Sequence, residues 1–151
     1  MADSNFKEYG GPACRQAGLR FKPLNHPSDV GIVAFGKTPK ELFENAAFGM
    51  FSMMAELLVI EKKITLQVKV TGEDLESLLV NWLNELIYDE DAKKLLLSEF
   101  EITKISETQL EATVWGEKID LSRHVFYRPI KAATYNQLQI RGNQATIIFD
   151  V

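Results

Sequence analysis

The sequence predicts an α+β fold, mainly antiparallel sheet with two principal helices. Strand-like segments outnumber helical ones, and most connections between them are too short for parallel crossovers. Two apolar stripes with helical period lie in the first two thirds of the chain, and strand patterns dominate after them.

Residues 1–18 show neither period, and Gly10-Gly11-Pro12 breaks any regular element, so they read as a loose leader. A short extended piece at 21–24 and a strand candidate at 30–35, closed by Gly36, flank the polar turn Asn25-His26-Pro27-Ser28-Asp29. Thr38-Pro39-Lys40-Glu41 then combines a Thr N-cap, Pro at the first helical position and a capping-box Glu. The helix that follows carries Leu42, Phe43, Ala46, Ala47, Met50, Phe51, Met54, Leu57 and Leu58 at three-and-four spacing, which places them on one wide stripe. Residues 64–70 alternate apolar and polar, as a half-buried strand does. A second helix opens at Glu73-Asp74, acids favoured by the helix dipole, and presents Leu75, Leu78, Leu79, Trp82, Leu83, Leu86 and Ile87 on one side. Tyr88-Asp89-Glu90-Asp91 is expected to end it. Strands are expected at 95–105, 110–115, about 125–140 with a break near Pro129, and 145–149, with Arg141-Gly142-Asn143 as the last hairpin turn.

A length of 151 residues suits a single domain, large enough to bury a core without disulfides or a structural metal. Residues 19–151 form that domain, with 60–105 as a candidate inserted subdomain. The balance of 17 Lys+Arg against 21 Asp+Glu argues against gripping nucleic acid through a broad basic face, so any RNA role is indirect or local. Cys14 stands alone, which excludes an intramolecular disulfide and a Cys-based zinc site and fits a reducing cytoplasm. No apolar run reaches the roughly 18–20 residues of a membrane span, and the N-terminus lacks a secretory apolar stretch. A soluble cytoplasmic protein with no membrane partner is expected.

Walker, dinucleotide-glycine, nucleophile-elbow and paired-His zinc motifs are missing, so a site must rest on carboxylates, Lys and Arg. That favours hard cations, phosphates and carbonyl oxygens. On residue types alone, residues 25–29 read first as an Asx or Ser turn; the functional reading makes Asp29 a ligand or acid with His26 beside it. Asp150 and the chain-end carboxylate of Val151 lie within one residue of each other after an apolar strand, and two such acids repel unless a cation or Lys sits between them. A frayed tail is the plainer alternative. Lys131 stands inside a strand-like stretch, as a snorkelling edge lysine or as a point charge for carboxylate or phosphate. Residues 116–124, with Glu117, Arg123 and His124, read as a polar surface loop whose groups suit phosphate.

Taken together, several segments resemble the archease family. They are His26-Pro27-Ser28-Asp29-Val30-Gly31-Ile32, Ala34-Phe35-Gly36-Lys37-Thr38, Leu42-Phe43-Glu44-Asn45-Ala46-Ala47 and the run from Asp74 to Leu86 that contains Asn81-Trp82-Leu83. Gly116-Glu117, Arg123-His124, Lys131-Ala132-Ala133-Thr134-Tyr135 and Asp150 with one following aliphatic residue complete the match, in order from Phe21. The resemblance implies an α+β fold with an inserted strand-helix-strand-strand unit. It further implies an accessory protein, not an enzyme, that promotes guanylylation and multiple turnover of the GTP-dependent RNA-splicing ligase in tRNA splicing or RNA repair. A divalent cation, Ca²⁺ or Mg²⁺ with Mn²⁺ as a further candidate, is implied at Asp29, Asp150 and Val151, with Lys131 activity-linked. His26, Glu117, Arg123 and His124 are weaker site candidates. Asn136 stands where many relatives have His, and the leader before Phe21 is longer than the family needs.

Two other readings compete. A metal-dependent phosphohydrolase would use Asp29 and Asp150 on the cation and Lys131 on phosphate, but no nucleophile or base aimed at water can be named. A chaperone-like binding module would hold clients through exposed Met and Phe.

Overall fold

A computed structural model describes residues 20–24 and 30–151. The leader at 1–18, His26 and Asp29 lie outside the described residues. The chain runs β1 (Phe21–Pro23), β2 (Val30–Phe35), α1 (Pro39–Met54), a 3-10 turn (Leu57–Val59), β3 (Ile64–Thr71), α2 (Leu75–Lys93), β4 (Leu95–Ile105), β5 (Gln109–Lys118), β6 (Ala132–Ala133), β7 (Gln139–Arg141) and β8 (Gln144–Asp150). All pairings are antiparallel, which makes the α+β expectation correct.

The strands form two sheets. One has the order β1-β2-β8-β6, with β7 also on β8; the other has the order β3-β5-β4. Helix α1 touches β1 and β2 of the first sheet and β4 of the second, and α2 touches β3, β4 and β5 as well as β6. Both helices therefore bridge the two sheets around one continuous core containing Phe21, Ile32, Phe43, Met50, Phe51, Trp82, Leu83, Phe100 and Ile147. From Leu42 onward only Glu44 and Phe48 of α1 escape full burial, so the helix is enclosed on nearly every side and not along a single stripe.

Local chemistry sets the helix ends. The Thr38 hydroxyl accepts the Glu41 N–H at 3.1 Å and starts α1. Asp74 caps α2 by accepting the Ser77 N–H at 2.8 Å, and Ser77 Oγ accepts the Asp74 N–H at 3.1 Å in return. Two polar contacts then fix the helices: Trp82 Nε1 donates to the Phe43 carbonyl at 3.0 Å, and Glu44 Oε2 accepts the Ile102 N–H at 2.8 Å beside a bulge in β4. The strand expected at 64–70 has its alternating pattern, with Thr65, Gln67, Lys69 and Thr71 facing outward.

Four boundaries differ from expectation. The first is at β5, which runs on to Lys118 because Gly116 and Glu117 pair with Leu97 and Leu96 of β4, so these two residues are buried strand and not surface loop. Helix α1 stops at Met54, so Leu57 and Leu58 leave its stripe and Leu58 is exposed. Tertiary pairing ends the helix there: Ala55 bridges Phe126, Glu56 N–H donates to the Val125 carbonyl, and Tyr127 N–H donates to that of Met54. Helix α2 runs through the acids to Lys93 and ends on left-handed Lys94 (φ 55°), because buried Asp89 pairs with Lys93 one turn on at 3.3 Å. The long strand expected at 125–140 is two short ones, β6 and β7, separated by a turn through Gln137 at φ 55°. Pro129 has no N–H to offer a ladder, and β8 has room for each piece only at one of its ends. The hairpin around Gly142 is present; Gly142 sits at φ +59° in open space, so its backbone conformation and not crowding favours glycine.

Candidate functional site

Strand β8 lies inside the first sheet, paired with β2 on one side and with β6 and β7 on the other. Its inward residues Ala145, Ile147 and Phe149 are buried, which holds the strand in register up to Asp150. Asp150 itself is exposed, as is Val151. Lys131 N–H donates to the Asp150 carbonyl at 2.7 Å, and Thr134 binds the Ile148 carbonyl through its N–H at 3.1 Å and its hydroxyl at 2.8 Å. The Lys131 backbone is thus fixed beside Asp150 while its side chain reaches solvent. On the opposite side Val30 faces Phe149, so β2 starts next to the end of β8.

The tip is chemically suited to a hard cation. Asp150 presents its carboxylate oxygens in water, where meeting a cation would not carry the cost of burying a charge. Among the described residues no group of three His, Cys, Asp or Glu is gathered as a metal site, and neither Asp150 nor Lys131 has an ion-pair partner. Beside Lys131 a cleft of about 520 Å³ opens between α2 and the segment preceding β6, lined by Tyr88, Glu90, Asp91, Ile130 and Lys131. Burial, helped by Asp91 and opposed by Lys94, raises the Glu90 carboxyl above its ordinary range.

Glu117, Arg123 and His124 form a different arrangement. Glu117, at the end of β5, is buried and accepts the Glu61 N–H at 2.8 Å, a hydrogen bond from Arg123 and one from His124 Nε2 at 3.0 Å. His124 Nδ1 accepts the Asp120 N–H at 2.9 Å, which leaves the ring proton on Nε2 to be donated to Glu117. Burial pushes the Glu117 carboxyl up, but these three donors outweigh it and bring it down to about 2. The cluster joins β5 to the loops at 61 and 120–124. It belongs to the second sheet, and no hydrogen bond or ion pair among the described residues links it to Lys131 or Asp150. Asn136 is exposed, its N–H donating to Thr134 Oγ1 at 3.3 Å.

Sequence reading missed one residue near the tip. Asn84 of α2 donates from Nδ2 to the Ala133 carbonyl at 3.2 Å and accepts the Ala133 N–H on Oδ1 at 2.8 Å. Its signal was a polar amide among Trp82, Leu83, Leu86 and Ile87, all buried.

Two antiparallel sheets bridged by two helices, with an acidic residue ending an inner strand beside a lysine, define a small α+β class. The model of the Archease protein family (MTH1598/TM1083) matches residues 21–151, and the chain belongs to the archease family. It is 37% identical over 142 residues to Protein archease of Methanosarcina barkeri, covering 89% of this chain and 97% of that one. The counterpart from Sulfurisphaera tokodaii is 37% identical over 136 residues, covering 87% and 97%. The solution structure of protein 1598 of Methanobacterium thermoautotrophicum superposes with a TM-score of 0.74 at 30% identity, over 88% of this chain and 99% of that one. The run β3-α2-β4-β5 is the strand-helix-strand-strand unit the resemblance implies. No helix among the described residues is long and apolar enough to cross a membrane.

Proposed function

We propose that this protein is an accessory factor of the GTP-dependent RNA-splicing ligase, promoting guanylylation of the ligase and hence its multiple turnover in tRNA splicing or RNA repair. The observation that carries the reading is the tip at which Lys131 is hydrogen-bonded into register beside Asp150, in a member of the archease family. Asp150 and Val151, with Asp29, would hold a divalent cation through carboxylate oxygens. Such an ion, when bound, neutralises phosphate charge and polarises phosphoryl oxygens.

The chain's own part is placement. The strand end presents the acids without burying them, and the backbone pairing with Asp150 starts the Lys131 side chain beside them, from where its ammonium would meet a triphosphate oxygen as a point charge. The net charge of −4 suits a protein that engages the ligase and meets RNA only through it.

The test is multiple-turnover ligation with substoichiometric ligase, GTP and a divalent ion. Turnovers beyond the first that depend on adding this protein are expected; an unchanged single round removes the proposal. Extending the chain by one glycine after Val151 turns its carboxylate into an amide and displaces the charge. Loss of most of the stimulation is expected, with thermal unfolding unchanged because Val151 is exposed.

A further inference from the structure

We propose that Asn84 is the positioning residue of the Lys131–Asp150 tip, its side-chain amide replacing the outer strand that β6 lacks. The inference rests on the function proposed above and adds a residue to it. Strand β6 has two residues and pairs with β8 only through Ala132 opposite Asp150 and Ala133 opposite Phe149. So short an edge has few ladder bonds of its own to hold it. On the side facing away from β8, the Ala133 N–H and carbonyl meet Asn84 Oδ1 and Nδ2 at 2.8 and 3.2 Å.

A primary amide offers the same donor and acceptor as a peptide group, so one side chain completes both backbone valences. Water cannot substitute, because Ala133 is 4% exposed. Asn84 is held in turn by α2, whose neighbouring Trp82, Leu83 and Leu86 are fully buried. Two residues before Ala133, Lys131 donates its N–H to Asp150. The helix thereby sets where the Lys131 side chain begins relative to the acid, through a single amide.

Substitutions separate this role from bulk stability. Asn84→Ala removes both bonds. Asn84→Asp keeps an acceptor for the Ala133 N–H but turns a second oxygen toward the Ala133 carbonyl. The experiment compares the full-length protein with both variants by site-resolved amide hydrogen exchange, and by multiple-turnover ligation with GTP and Mg²⁺ across a range of protein concentrations.

In Asn84→Ala the Lys131 and Thr134 amides are expected to exchange about tenfold faster, while the β2–β8 ladder keeps its protection. Maximal stimulation falls by a similar factor with the half-saturating concentration unchanged, a pattern of misplacement and not of weaker docking. Asn84→Asp shifts both readouts in the same direction and stands in if the alanine variant fails to fold. Unchanged exchange at Lys131 and Thr134, uniform acceleration across the sheet, or full stimulation despite local loosening would each overturn the inference. If the unaltered protein gives no stimulation, the proposed function fails and the exchange measurement alone decides whether Asn84 holds β6.

Discussion

Asp150→Asn is expected to return multiple-turnover ligation to the level of the ligase alone. The side chain is exposed at the end of β8, so the substitution changes charge and leaves the packing of Ala145, Ile147 and Phe149 intact. Surface changes of this kind shift stability by no more than about 0.5 kcal/mol, and denaturant unfolding should confirm a folded variant. Divalent-ion affinity measured by calorimetry should drop by at least about tenfold, since removing a ligand costs more than disturbing its surroundings. Lys131→Ala is expected to act in the same direction on ligation while leaving ion affinity nearly untouched. A fully stimulating Asp150→Asn would remove the carboxylate from the mechanism.

Glu117→Ala has the largest expected effect on stability, about 3 kcal/mol. Truncation orphans the buried His124 Nε2–H and the Glu61 N–H and strips Arg123 of its anion. Unmade bonds to buried donors cost about 1–3 kcal/mol each, reduced here because Arg123 is partly exposed and can rehydrate. The measurement is the urea midpoint at constant m-value. Glu117→Gln, which keeps an acceptor oxygen, should lose less.

The same carboxyl sets an acid limit. Its folded value of about 2 lies below the ordinary 4.5, so its contribution is complete above pH 4.5 and is lost as the pH falls toward 2. The unaltered protein should therefore lose stability more steeply across that interval than Glu117→Gln. Parallel acid profiles would show that the charge on Glu117 contributes nothing.

Both helices were legible in the sequence because their caps and their apolar periods agree: Thr38 with Pro39 and Glu41, and Asp74 with the stripe from Leu75 to Ile87. Their ends were less so. Nothing local marks Met54 as the last helical residue, since the strand-like partner that stops α1 arrives at Val125 and Phe126. The acids after Tyr88 looked like a terminus, yet one of them is buried and paired with Lys93 within the helix. Residues 125–140 carried β-branched and aromatic residues but could not pair continuously, because β8 is divided between β6 and β7.

At the tip, Asp150 and Lys131 stood out as charges in apolar strands. Asn84 did not, because its partners are the backbone N–H and carbonyl of Ala133, which no side-chain pattern marks. Glu117 and His124 resembled a solvated loop by composition. Only the folded chain brings Glu61 and Arg123 to the same carboxylate.

The pairing of Val30 with Phe149 carries a kinetic consequence. Within the unit β3-α2-β4-β5 the β4–β5 hairpin closes through neighbours in sequence and can form early, whereas β3 reaches β5 across α2 and β4. The sheet holding Asp150 must join a strand near the beginning of the described chain to one at its far end, and long loops close slowly. Helix α1 packs on β4 of one sheet and on β1 and β2 of the other, so its face toward Phe21 and Ile32 stays uncovered until that closure. The step that covers it is also the step that carries Asp150 to the start of β2, so a chain able to present its acidic tip has completed its core.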